Sequence, residues 1–326
     1  MKNNFEIQIE DIESIEQLEN FNDEYVYDIE VEDTHSFFAN NILAHNSIYC
    51  EFGRIVNYFN INELDAPKFV VDLWNYGCGP FMQKKYDEYA KKFNCDENLQ
   101  KLELEKIADT TILTSKKHYA MAEIWKEPNI FLEPMEEVVY KGLEIVKGPT
   151  PPYARECQID FTRFVLEWYQ THKERMPYES IIAKLKGYKQ KFMMCSPDDI
   201  SQGGTIGNYH KFILDDKNKL TIAPHCPAHV NAAGAYNYLL NQPQNKKYKV
   251  RYQTIKTADK VKWYYTKNKM LPYFAYLPGY YPIEFAPEID YDTQFEKTIL
   301  APCNRIIEIL NYKALTADLC FTAALW

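Results

Sequence analysis

Apolar and polar residues alternate along the beginning of the chain, a pattern typical of β-strands. The alternation predicts strands over residues 5–9 and 25–31, and apolar residues at every third position over 12–18 predict a helical turn between them. The dipeptide Asn40-Asn41 tolerates positive φ and predicts a hairpin turn that returns residues 42–46 toward the body of this piece. The first 46 residues are therefore predicted to be mostly β.

The remainder of the chain mixes strand and helix patterns. Extended structure is predicted over residues 47–52, 112–125, 135–146 and 248–263. Apolar stripes with a helical period predict helices over residues 66–93, 153–168, 181–188, 228–240 and 293–310. Glycine and proline clusters are expected to interrupt the first helix at 77–80, to break the chain at 149–152 and to form loops at 197–207 and 243–247. These patterns predict an α+β fold whose last part, from residue 149, is mainly helical.

The composition is that of a folded protein with a substantial core. The 326 residues are 46% hydrophobic and 15% aromatic, enough for one large or two moderate domains. The eight cysteines show no regular pairing distances, which favours reduced thiols in a cytoplasm-like compartment. The sequence has neither an N-terminal signal region nor a run of about 18 apolar residues, so we expect a cytoplasmic location and no membrane partner.

Charge is distributed unevenly along the chain. The formal net charge is −9, but residues 1–46 contain twelve acidic residues and one base, Lys2, and so carry −11. The remaining 280 residues carry +2. An acidic fragment associates faster with a basic partner through electrostatic steering, so we predict a basic binding partner for residues 1–46. The alternative is that the acidic residues only solvate a short segment.

Three consecutive residues, His45-Asn46-Ser47, combine the groups that can cut and rejoin a backbone. The Asn46 side-chain amide can attack its own carbonyl, close a five-membered succinimide and break the bond to Ser47. The His45 imidazole, with an ordinary pKa of about 6.5, can act as general acid for this cleavage. The Ser47 hydroxyl can accept an acyl group from elsewhere. Taken alone, such a tripeptide is also compatible with a plain turn.

The residues before this tripeptide carry a family resemblance. The run Val26-Tyr27-Asp28-Ile29-Glu30-Val31, the segment Thr34-His35-Ser36-Phe37-Phe38-Ala39-Asn40-Asn41 and the end Ile42-Leu43-Ala44-His45-Asn46 resemble the two C-terminal sequence blocks of inteins. The resemblance implies that Asp28 acts near the upstream splice junction and that His35 assists cyclisation of Asn46. An ordinary strand carboxylate and a loop histidine are the alternatives. Because only 46 residues precede the junction, the resemblance implies a C-terminal split-intein fragment that requires an N-terminal fragment on another chain.

A second resemblance begins at the junction. Ser47-Ile48-Tyr49 resembles the end of the palm motif Asp-Thr-Asp-Ser-(Ile/Val)-Tyr of family B DNA polymerases, and Ser115-Lys116-Lys117-His118-Tyr119-Ala120 resembles their Lys-Lys-x-Tyr element. In the family this element holds the primer–template duplex, which implies that Lys116, Lys117 and Tyr119 bind DNA. Lysines and a tyrosine can bind phosphates without reading sequence. A lysine pair on a solvated strand is the alternative.

A third segment continues the polymerase resemblance. Tyr140-Lys141-Gly142-Leu143-Glu144-Ile145-Val146-Lys147-Gly148-Pro149-Thr150-Pro151 resembles the family's passage from palm to thumb. Two later segments, Cys226-Pro227-Ala228-His229 and Tyr291-Asp292-Thr293-Gln294-Phe295-Glu296-Lys297, resemble thumb segments of the bacteriophage-type branch. Lys147, Thr150 and Arg155 are the backbone-phosphate contacts that this resemblance implies. The implied domains are an intein fragment over residues 1–46, the C-terminal part of the palm over 47–148, and the thumb with a C-terminal tail over 149–326.

Together the resemblances imply the C-terminal precursor half of a split, phage-encoded replicative polymerase in an infected cell. Trans-splicing would join Ser47 to an Asp-Thr-Asp ending on the N-terminal polymerase chain, and the ligated enzyme would use Mg²⁺, dNTPs and primer–template DNA, with the metal ligands mainly on the partner. The apolar tail over residues 319–326 suggests a contact with a sliding clamp. Two alternatives remain open: a non-covalent DNA-binding subunit of a split polymerase, and a remnant with neither activity.

A structural metal site is not expected. His225, Cys226 and His229 are close in sequence, but a structural zinc site needs four ligands and no second pair follows at a suitable spacing.

Overall fold

A computed structural model of the chain describes residues 36–39, 42–45, 50–92, 102–172, 174–207 and 226–316, the first two ranges as backbone only. The chain divides into two compact units on either side of the bond between Glu103 and Leu104. Helices and antiparallel sheets both contribute, as the α+β prediction requires. The domain boundaries at 46/47 and 148/149 stay predictions.

The first unit contains a two-stranded hairpin. Strands β1 (Ser36–Ala39) and β2 (Ile42–His45) are antiparallel, and the pairing of Ala39 with Ile42 leaves a two-residue connection at Asn40-Asn41. The predicted hairpin is confirmed. The predictions for residues 5–9, 12–18 and 25–31 lie outside the described residues.

Helices follow the hairpin in the same unit. They are α1 (Gly53–Tyr58), α2 (Ala66–Leu73) and α3 (Gly79–Lys92). A π-helical turn, Trp74–Cys78, joins α2 to α3, so the predicted helix is confirmed with its interruption beside Gly77–Pro80. The cause is Pro80, which has no N–H to give to the carbonyl four residues earlier. The strand predicted over 47–52 is wrong at residues 50–52, because the Phe52 carbonyl already accepts the Ile55 and Val56 N–H groups and begins α1.

A four-stranded antiparallel sheet opens the second unit. Its strands are β3 (Lys106–Ser115), β4 (His118–Lys126), β5 (Ile130–Phe131) and β6 (Glu137–Lys141), and β4 is the strand that pairs with the other three. The extended segments predicted over 112–125 and 135–146 correspond to this sheet. The second prediction is wrong at its end, where Glu144–Val146 forms a 3₁₀ turn after the positive φ of Gly142.

Two long helices cover the core beside the sheet. Helix α4 (Pro152–Thr171) begins after the predicted break, and α5 (Tyr178–Phe192) follows it. Both predicted helices are confirmed, and the apolar stripe of each one lies in the core: Phe161 and Val165 of α4 and Leu185 of α5 are at most 1% exposed. Burial of such side chains stabilises the fold by about 1.5–3 kcal/mol each.

A second sheet lies in the part predicted to be mainly helical. Its antiparallel strands are β7 (Gln202–Thr205), β8 (Lys260–Tyr265) and β9 (Tyr273–Tyr276). The loop predicted over 197–207 is therefore wrong, since a short helix, α6 (Pro197–Ile200), and β7 occupy it. Gly203 and Gly204 are strand residues, and a Cβ at Gly204 would lie 3.0 Å from the His229 side chain, so a larger residue would require that side chain to shift.

The last helices complete the second unit. Helix α7 (Ala228–Asn241) is confirmed, and the loop predicted over 243–247 is instead a 3₁₀ segment, Pro243–Val250. Of the extended segment predicted over 248–263, only the β8 residues are strand. The predicted helix over 293–310 consists of α8 (Tyr291–Phe295), a π-helical turn (Glu296–Leu300) and α9 (Ala301–Ile309).

Candidate nucleic-acid interface

The lysine pair of the Lys-Lys-x-Tyr element forms the turn between β3 and β4. Ser115 and His118 are register partners, so Lys116 and Lys117 are the two connecting residues; we call residues 115–118 the hairpin tip. Lys117 adopts φ 63°, and both lysines are exposed. The tip therefore carries two exposed lysine side chains.

Hydrogen bonds fix the conformation of the hairpin tip. The His118 Nδ1 lies 2.8 Å from the Lys116 carbonyl oxygen and 3.0 Å from the Ser115 hydroxyl. The Thr114 hydroxyl donates to the His118 carbonyl at 3.0 Å. These contacts restrain the backbone from which both lysines extend.

Tyr119, predicted to bind DNA, faces the interior more than the surface. The residue is 8% exposed, and its register partner on β6 is Lys141. The Lys141 Nζ lies 6.0 Å from the centroid of the Tyr119 ring, close to the range of a cation–π contact. The ring thus supports Lys141, an exposed cation that sequence reasoning did not select.

The other three predicted contacts lie in and after the segment 141–150, which we call the passage. Thr150 donates its hydroxyl to the Glu144 carbonyl at 2.6 Å, and the Arg155 Nη2 donates to the Lys147 carbonyl at 2.9 Å. The Lys147 Nζ is 2.8 Å from the Glu144 carboxylate. All three residues therefore help to hold the passage in place, and Lys147 keeps an exposed ammonium group.

The tip and the passage meet in one region of the second unit. A shallow pocket is lined by Thr114 from β3, by Leu143 and Glu144 from the passage, and by Arg305 from α9. The Arg305 Nη1 lies 3.5 Å from the Glu144 Oε1, so this carboxylate has two cationic neighbours. Sequence reasoning missed Arg305 and Glu144, because only the fold brings α9 to the passage.

The predicted splicing residues are mostly outside the described part of the chain. His45 is the last residue of β2, and its register partner is Ser36. Asp28, His35, Asn46 and Ser47 lie outside the described residues.

The residues considered for zinc do not gather into a site where the structure describes them. The His229 Nε2 donates to the Thr205 carbonyl at 3.1 Å, and burial lowers the pKa of His229. Cys226 is half-buried, and His225 lies outside the described residues. Within the described ranges, no group of three or more His, Cys, Asp or Glu side chains could hold a metal ion.

No family model matches this chain. It is nevertheless distantly related to DNA polymerases, which supports a polymerase-related function. The DNA polymerase of Thermococcus litoralis is 26% identical over 166 residues, and those of Thermococcus sp. (strain GE8) and Thermococcus hydrothermalis are each 28% identical over 169 residues. Each match covers 51% of this chain but 8% of the relative, so the chain matches less than a tenth of the length of these polymerases.

Among the described residues, no helix is both long enough and apolar enough to cross a membrane.

Proposed function

We propose that this chain supplies the C-terminal part of a family B DNA-directed DNA polymerase of the bacteriophage type, with residues 47–148 in the palm and 149–326 in the thumb. The observation that carries the polymerase assignment is the similarity to DNA polymerases over half of the chain, whereas the bacteriophage type rests on the sequence resemblance alone. The exposed lysine pair of the hairpin tip supports it, because that pair is the part of the resemblance with a direct role on DNA.

In this proposal the second unit grips the primer–template duplex. Lys116 and Lys117 bind backbone phosphates from the tip, and Lys147 and Arg155 extend the contact along the passage. Thr150 contributes by holding the passage through its bond to the Glu144 carbonyl. Such contacts position a duplex without selecting its sequence, which is what a replicative enzyme needs.

Salt dependence of duplex binding tests this grip. The full chain is titrated onto a fluorescein-labelled primer–template duplex, and anisotropy gives the affinity between 50 and 200 mM salt. Each phosphate contact adds about 0.9 to the slope of log affinity against log salt. The double variant Lys116→Ala/Lys117→Ala should therefore lose about 1.8 of this slope.

The matched control removes a second lysine pair of the same unit. Lys246 and Lys247 are adjacent and exposed on the 3₁₀ segment Pro243–Val250. Lys246→Ala/Lys247→Ala makes the same change in net charge, and we expect it to keep most of the slope. Equal losses in the two double variants would contradict a specific role of the tip.

Polymerisation itself is proposed to require the N-terminal polymerase chain. Mg²⁺ is the expected cofactor, but the described residues offer no cluster of carboxylates that fits it. The polymerase resemblance, which begins at the end of the Asp-Thr-Asp-Ser motif, assigns the metal-binding aspartates, the dNTP contacts and the nucleotide-gripping residues to the partner. The clamp contact of residues 319–326 stays a prediction, since this tail lies outside the described residues.

The two chains are proposed to become one by trans-splicing. Ser36 and His45 are paired on β1 and β2, and they are bonded to His35 and Asn46 respectively. The pairing of these two sequence neighbours supports the proposal that His35 assists the cyclisation of Asn46. Asn46 would close its succinimide, with His45 protonating the leaving Ser47 nitrogen, after the Ser47 hydroxyl has accepted the partner's acyl group. Asp28 is assigned to the upstream junction.

Intact-mass measurement separates splicing from non-covalent assembly. The chain is co-expressed with an N-terminal polymerase chain that ends in a complementary intein fragment. Splicing predicts a ligated product that lacks residues 1–46 and that Asn46→Ala abolishes. Two chains of unchanged mass that co-purify and extend primers would instead support the non-covalent subunit.

A further inference from the structure

We propose that Lys141 and Gly142 complete the duplex-binding site: Lys141 is a third phosphate-binding cation, and Gly142 is a positioning residue for the hairpin tip. The inference rests on the proposed function, because the ligand is the phosphate backbone of the same duplex. The carrying observation is the juxtaposition of β6 with the tip, which no sequence motif reveals.

Gly142 lies directly against the backbone of the tip. It adopts φ +67°, and a Cβ at this position would lie 2.2 Å from the Lys117 carbonyl oxygen and 2.9 Å from the His118 Cδ2. The first neighbour is backbone, so it cannot rotate away as a flexible side chain would. Any L-residue at position 142 must therefore displace the turn that carries Lys116 and Lys117.

Lys141 directly precedes Gly142 and adds a further exposed lysine next to this turn. The β4–β6 register pairs Lys141 with Tyr119, which is two residues from Lys117 along the chain. The side chain of Lys141 is exposed, and its Nζ lies 6.0 Å from the Tyr119 ring centroid. The contact supports an extended lysine on the face of the ring, so that a duplex resting on the tip meets three cations instead of two.

The test measures duplex affinity of the full chain between 50 and 200 mM salt for Lys141→Ala and Gly142→Ala. Loss of one phosphate contact lowers the magnitude of the slope of log affinity against log salt by about 0.9. The factor by which affinity falls between 50 and 200 mM salt then becomes roughly 3.5-fold smaller. We expect this for Lys141→Ala. Gly142→Ala should also lower the slope, although it keeps every lysine.

Gly279→Ala is the matched control for backbone strain. Gly279 also has a positive φ, +81°, but a Cβ there meets nothing within 4 Å. The control therefore reproduces the conformational cost of alanine without any contact to the tip, and its slope should equal that of the wild-type chain. An unchanged slope for Lys141→Ala, or equal behaviour of Gly142→Ala and Gly279→Ala, would overturn the inference.

A double-mutant cycle separates positioning from general destabilisation. In the Lys116→Ala/Lys117→Ala background, Gly142→Ala should cause no further loss of slope, because the groups that it positions are absent. A full additional loss would contradict the positioning role.

If circular dichroism shows that Gly142→Ala does not fold, Lys141→Ala decides the inference by itself. A wild-type chain with no salt-dependent duplex binding would refute the proposed function as well. Binding that falls in Lys116→Ala/Lys117→Ala but not in the two new variants would refute the inference alone.

Discussion

Glu144 is the carboxylate that lies among the cations of the candidate interface, and its neutralisation gives a gain-of-binding prediction. Its Oε1 lies 2.8 Å from the Lys147 Nζ and 3.5 Å from the Arg305 Nη1. In a DNA complex this carboxylate competes with phosphates for both cations. The variant Glu144→Gln removes the charge and preserves the shape of the side chain.

The structure sets the expected magnitudes. The three side chains are 28%, 47% and 54% exposed, and ion pairs of this kind contribute about 0–1 kcal/mol to stability. The bond from Thr150 is to the Glu144 main-chain carbonyl and is retained. Stability should therefore change by less than about 1 kcal/mol. One additional phosphate contact should steepen the salt slope by about 0.9.

Anisotropy titrations between 50 and 200 mM salt measure the slope, and urea denaturation measures stability. Glu288→Gln is the control, since Glu288 is an exposed carboxylate paired with a lysine, Lys267, on another part of the same unit. It makes the same change in net charge. Weaker duplex binding by Glu144→Gln, or a gain equal to that of Glu288→Gln, would refute the reasoning.

Three further predictions concern the core of the second unit. The buried Asn237 side chain donates a hydrogen bond to the Ile255 carbonyl and accepts one from the Ile255 N–H, both at 2.9 Å. Asn237→Ala should leave these two buried backbone groups unpaired and lower the free energy of unfolding, measured with urea, by about 2–6 kcal/mol. The control Asn241→Ala, on the same helix, should lower it far less. Burial lowers the folded-state pKa of His229. Stability should therefore fall as the pH decreases below about 6.5, because the unfolded chain binds the proton there more readily than the folded chain does. In His229→Gln, the urea midpoint should depend less on pH between pH 7 and 5. Burial also raises the pKa of Cys157 to about 12, so its thiol should resist iodoacetamide at pH 8 until urea unfolds the chain, as peptide mass spectrometry would show.

Local patterns predicted the elements whose signal is contained in a few turns of chain. The stripes of α4 and α5 could be read because their apolar residues recur with the helical period, and the interruption before α3 could be read because Pro80 lacks an N–H. Strand β7 could not, since the close approach of Gly204 to the His229 side chain arises only when another segment packs against the strand. Local composition alone suggested a loop there.

The candidate interface also combines a part that the local sequence revealed with a part that depends on the fold. The lysine pair of the tip was visible in the sequence as a motif, but the neighbours that shape it were not. Lys141 and Gly142 reach the tip through the register of β6 on β4, and Arg305 reaches Glu144 from more than 150 residues away. Such contacts depend on how distant elements pack, which no local pattern encodes.

Template-directed primer extension is the decisive experiment for the proposed polymerase role. The chain is combined with the proposed N-terminal polymerase chain, labelled primer–template, dNTPs and Mg²⁺, and extension is followed on a gel beside each chain alone. We expect extension by the combination, none by this chain alone, and a strong decrease in extension when the chain carries Lys116→Ala/Lys117→Ala. No extension by two chains that demonstrably associate or ligate would contradict the assignment of this chain to a DNA polymerase.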